Sequence, residues 1–138
     1  MLDQLIIILR AAQLYTHNAH NLIKGPVFFE DHEFLGDLYP KYETTYDLVV
    51  ERMIGLNIPI NLTETQVGAV QVLQRLNISS DPNMIFSSII QLEKMINQKS
   101  EQCSKLPEYS EGTRQMLGNI CDESEQRQYK LKQRVANG

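Results

Sequence analysis

The sequence predicts an all-α fold of four long helices, with a long crossover carrying a short helix between the second and the third. Three observations predict it. Apolar residues recur at alternating spacings of three and four along four long stretches, the pattern of amphipathic helices. No stretch alternates apolar and polar residues over a useful strand length. About 25 residues rich in Asn, Thr, Ser and Pro part the second long stretch from the third, too many for a tight antiparallel turn.

The first helix is expected over about residues 2–24, where no breaker occurs and Leu5, Ile8, Ala12, Tyr15, Ala19 and Leu22 form one stripe. Gly25-Pro26 then punctuates, because glycine ends helices and proline suits a first turn. The second helix is expected over about 27–56 on Phe28, Leu35, Tyr39, Tyr42, Tyr46, Val49, Met53 and Leu56. Pro40 should bend it or remove one backbone bond. In the crossover, Val67, Val70, Leu73 and Leu76 predict a short helix over about 64–76, capped by Thr63. Asp81-Pro82 reads as an N-cap and first-turn proline for a helix to about 105, with Ile85, Ile89, Leu92, Ile96 and Cys103 on its stripe. The last helix is expected over about 109–135, carrying Met116, Leu117, Ile120, Cys121, Tyr129 and Leu131. The whole, residues 1–138, reads as one ferritin-like domain: a four-helix bundle with one long crossover.

Composition excludes several classes. At 42% hydrophobic and 22% charged, with 7 Gly and 5 Pro, the chain is neither disordered nor fibrous. A net charge of -4 and a pI near 5.3 provide no basic field for nucleic acid. Cys103 and Cys121 lack C-x-x-C spacing and read as reduced thiols of a cytoplasmic protein. The apolar run Leu2 to Leu9 is too short to span a bilayer and lacks a basic region before it, so neither a membrane anchor nor a signal peptide is expected.

The chemistry concentrates between His20 and Arg52. His20 precedes Gly25 by five residues and His32 follows Pro26 by six, so both lie roughly 8 Å from the turn and an antiparallel hairpin brings them level. Asp47 and Glu51, spaced i, i+4, share one helix face. Imidazoles with carboxylates suit iron or manganese. Asp47 lies fifteen positions beyond His32, roughly 22 Å along the axis, so one chain cannot place all four on one metal. Either these are two unrelated features, a core histidine pair and a solvated acidic face, or a second copy related by a two-fold axis completes the site. His17 reads as an exposed or supporting residue.

These residues resemble the Dps-like miniferritins (DNA-binding proteins from starved cells), a family of the ferritin-like superfamily. The motif is a His in the first helix, a G-x-x-F turn, a second His with an acid after it, then D-x-x-x-E-R. Here it reads His20, Gly25 to Phe28, His32-Glu33, and Asp47 to Arg52, with eleven residues between the histidines. The likeness is dense over residues 17–56 and thinner beyond. It implies a dodecamer with iron sites at two-fold interfaces, His20 and His32 from one subunit meeting Asp47 and Glu51 of its partner as ligands and catalytic residues. Fe(II) would be oxidised there, typically by hydrogen peroxide, and stored as ferric mineral, protecting the cell from oxidative damage. Glu108 and Glu111, at the start of the last helix, are the expected lining of an iron-uptake pore.

The departures from that pattern are specific. Many members carry an Asp one turn after the second His, where this chain has Gly36 beside Asp37. Many place a Trp after the first His, where this chain has Asn21, and it has no Trp at all. Tyr15, Tyr39 and Tyr46 are the aromatics that would stand in. The ordinary ferritin centre, with Glu-x-x-His inside one bundle, is disfavoured because position 29 is Phe29 and the last helix has no His. DNA-compacting members carry Lys/Arg-rich tails. This chain begins MLDQLI, and Lys130, Lys132 and Arg134 are its only late cluster, so little or no DNA binding is expected. The alternatives are a DNA-protecting protein with weak ferroxidase activity and a structural shell or bundle with a degenerate site.

Overall fold

A computed structural model describes residues 1–136. Five helices take in 81% of them and no strand occurs among them, which makes the fold all-α and ferritin-like. The elements are α1 (Leu2–Leu22), α2 (Phe28–Gly55), α3 (Leu62–Gln74), α4 (Pro82–Ser104) and α5 (Glu111–Val135). α1 is the hub: it packs on α2, α3 and α4, and α4 packs on α5.

The stripes close into one core. Leu5, Leu9 and Ala12 of α1, Leu35 and Val49 of α2, Ile89 and Leu92 of α4, and Leu117 of α5 are all fully buried. Removing each such Leu or Ile from water stabilises the fold by about 1.5–3 kcal/mol. α2 runs unbroken through Pro40, because losing one N–H is tolerated where the stripe stays in phase; Thr44 Oγ1 donates to the Pro40 carbonyl.

Several details differ from the sequence expectations. α3 begins two residues early because Asn61, not Thr63, is its cap, its Oδ1 accepting the Glu64 N–H at 3.1 Å. Its buried positions are Thr65 and Ala69, while Val67 and Val70 face outward. The cause is close approach to α1: a Cβ on Gly68 would lie 2.8 Å from Ile7 Cδ1, so small residues carry this contact. Tyr129, expected on the α5 stripe, is 65% exposed, and Leu22, Phe28 and Leu56 are also exposed. Asp81 caps α4 through the Met84 N–H, and Ser110 caps α5.

Candidate metal centre

The turn between α1 and α2 sets the geometry. α1 stops at Leu22, with Ile23 extended, and Gly25 takes a φ of +139°, a backbone conformation side chains rarely adopt. Pro26 lies in the turn and α2 starts at Phe28. The turn is held from outside: the Lys24 N–H donates to the Ser80 carbonyl at 3.0 Å, and a Cβ on Gly25 would come within 3.1 Å of Pro82 Cγ.

This hairpin brings His20 and His32 level. Their rings stack with centroids 3.8 Å apart and planes 25° from parallel. His20 Nδ1 lies 2.8 Å from the His32 main-chain oxygen. A carbonyl only accepts, so Nδ1 carries the proton, and in the neutral ring Nε2 is left with its lone pair. A second hydrogen bond of this kind fixes the tautomer of metal-binding histidines. Phe28 stacks on the far side of His32 at 5.0 Å, and Tyr39 tilts against His20 at 5.7 Å while stacking on the exposed His17 at 4.1 Å. Of Tyr15, Tyr39 and Tyr46, the one beside the pair is thus Tyr39. Tyr15 instead donates to the Asn77 carbonyl, and Tyr46 lies under the Arg10 guanidinium.

Asp47 and Glu51 are both exposed on α2. They share a helix with His32 and stand about 22 and 28 Å along it, so the fold does not bring them to the histidines. Among the described residues no group of three or more His, Cys, Asp and Glu side chains is close enough to hold a metal ion. Arg52, next to Glu51, donates to Thr113 Oγ1 at 3.1 Å and fastens this end of α2 to α5.

The bundle interior holds charges that sequence reasoning missed. Glu93 on α4 is completely buried, gripped by Arg127 of α5 at 2.5 and 3.3 Å and bonded by the Tyr42 hydroxyl of α2. The signal was present: position 93 follows Ile89 by four and precedes Ile96 by three, so an acid stands on an apolar stripe. Burial, reinforced by the Glu93 charge, holds the Tyr42 phenol well above its usual range. Burial alone would lower Arg127, but Glu93 reverses this and raises it. The interior carboxylate is already neutralised by a guanidinium, so the interior offers no ferritin-type metal pocket at this point. A second pair, Arg134 to Asp31 at 2.6 and 2.9 Å, ties the end of α5 beside His32, with the guanidinium over Phe86.

Glu108, in the turn before α5, and Glu111, its first residue, are both exposed. Cys103 and Cys121 are free thiols, and burial raises both. No described helix is long and apolar enough to cross a membrane.

No curated protein and no solved structure matches the sequence. A family profile, the ferritin-like domain, matches residues 1–138 from end to end. The match covers the whole bundle described above, and the chain belongs to the ferritin-like domain family.

Proposed function

We propose that this chain is the subunit of a Dps-like miniferritin, which oxidises ferrous iron at sites shared between two copies and stores the ferric product inside a dodecameric shell. The observation that carries this reading is the stacked His20–His32 pair. One imidazole has its Nδ1–H committed to a main-chain oxygen, leaving a free ring nitrogen, and the chain's own D-x-x-x-E pair stands too far along α2 to join it. Two donors are half a site. A two-fold axis across the α2 helices would bring Asp47 and Glu51 of a second copy to His20 and His32, and would make two equivalent centres.

Exposed apolar side chains flank both halves, as an interface between copies needs. Phe29 is 81% exposed beside the histidines, and Leu48 and Ile54 are 48% and 56% exposed beside Asp47 and Glu51. At the completed centre the imidazoles would hold Fe(II) and the carboxylates would favour Fe(III), so the donor set suits both oxidation states. The reaction is 2 Fe2+ + H2O2 + 2 H+ → 2 Fe3+ + 2 H2O, in which one two-electron acceptor takes its electrons from two ferrous ions and no hydroxyl radical is released. Glu108 and Glu111 are proposed to line the pore by which Fe(II) arrives, and the expected setting is cytoplasmic, with little DNA binding.

Assembly mass by light scattering, combined with stopped-flow ferrous oxidation by peroxide and by oxygen, tests the reading. A shell of about twelve subunits whose oxidation rate collapses in His32→Ala is expected. A stable monomer, or a His32→Ala variant as fast as the parent, would refute it.

A further inference from the structure

At position 36 this chain has a glycine where many members of the resembled family carry a carboxylate. The geometry gives it a different part. A Cβ built on Gly36 would lie 2.9 Å from His20 Cε1, 3.2 Å from Nδ1 and 3.8 Å from Nε2. The His20 ring therefore rests directly on the backbone of α2, in space that any side chain at position 36 would take. From that seat the ring stacks on His32 and reaches the His32 main-chain oxygen with Nδ1. Glycine in a helix interior is otherwise unfavourable relative to alanine, and nothing in the turn chemistry of α2 calls for one here.

We infer that Gly36 is a positioning residue: it seats the His20 imidazole against α2 and so sets the Nδ1–H tautomer that leaves Nε2 free. The inference rests on the proposed role of His20 as a ligand only for its consequence in metal binding. The seating itself concerns the metal-free protein. It follows that a carboxylate at position 36 would not add a ligand to this chain, because it would evict the one already there.

The test compares Gly36→Ala with Gly118→Ala. Gly118 lies inside α5 and has nothing within 4 Å of a built Cβ, so it reports the helix-propensity effect alone. In the metal-free protein, imidazole nitrogen NMR is expected to show His20 with its proton on Nδ1 in the parent and in Gly118→Ala, and to lose that signature in Gly36→Ala. Co(II) titration is expected to show affinity falling about 10- to 100-fold in Gly36→Ala, the usual loss when the group orienting a ligand histidine is removed. Gly36→Asp should weaken Co(II) binding as well, despite adding a carboxylate.

Stability supplies a readout independent of metal. In a His20→Ala background the seat is empty, so Gly36→Ala should become as stabilising as Gly118→Ala, and this background keeps the comparison usable if the single variant folds poorly. An unchanged His20 tautomer in Gly36→Ala, or tighter binding of Co(II) by Gly36→Asp, would overturn the inference. If the parent binds no Co(II) while the tautomer still depends on position 36, the metal reading fails and the seating stands.

Discussion

His20 gives its Nδ1 proton to the main-chain oxygen of His32 at 2.8 Å, so the position of one imidazole is set by the backbone that carries the other. The two histidines behave as one unit, and a change at either should be felt by both.

The shared-site reading makes a complementation prediction. His32→Ala alone, and Asp47→Asn with Glu51→Gln alone, should each lose nearly all ferrous oxidation. Co-assembled in equal amounts, the two variants should regain about a quarter of the parent rate. Half of the two-fold interfaces are then mixed, and each mixed interface has one intact centre. A mixture as inactive as its components would show that the histidines and the carboxylates do not meet across an interface.

The buried ion pair in the bundle should be costly to break on one side. Arg127→Met leaves Glu93 charged and unpaired where it is completely buried, and a loss of about 3–5 kcal/mol in urea unfolding at fixed protein concentration is expected. Adding Glu93→Gln should recover much of that loss, since the uncompensated charge is gone. A single variant as stable as the parent would mean that Glu93 is solvated in solution.

Alkaline stability should report Tyr42. Its phenol is held well above the ordinary value by burial first and the Glu93 charge second. Below about pH 10 the phenol is protonated in both states and its contribution is intact. Above that, the unfolded chain releases the proton while the folded chain retains it, so the unfolded state binds fewer protons and stability falls as pH rises. Tyr42→Phe should make the decline above about pH 10 shallower. An identical slope in the variant would argue against the buried phenol.

The two thiols should be slow to react. Burial raises both Cys103 and Cys121, and the Glu101 and Glu125 charges add to the effect at Cys121. Iodoacetamide at neutral pH should modify the native protein at least about tenfold more slowly than the unfolded chain. Equal rates would place the thiols in open solvent.

The histidine pair was legible in the sequence because it depends on distances along two helices from one turn, and rise per residue fixes those. Asp81 and Pro82 were legible for a similar reason, since capping chemistry is local. The orientation of α3 was not. Periodicity ranks Val67 and Val70 above Thr65 and Ala69, but it carries no information on how near α1 must come, and Ile7 against Gly68 decides that. Gly36 was misleading in the same way. Set against the resembled family's motif it looks like a missing ligand, and only the position of the His20 ring explains why a side chain is unwelcome there. Glu93 was readable from its phase on α4, though its partner Arg127 was not, because pairing across helices depends on their register.

The link from Lys24 to Ser80 has a kinetic side. The turn that aligns the two imidazoles is anchored to the far end of the crossover, where Pro82 closes against Gly25. Local helix formation alone therefore leaves the hairpin loosely tethered, and its final register waits on a contact between parts of the chain remote in sequence. Contacts of that kind form late, because a long loop must be closed first. Refolding followed by metal capture should accordingly lag behind refolding followed by helix content, and the competence to bind would be among the last properties the chain acquires.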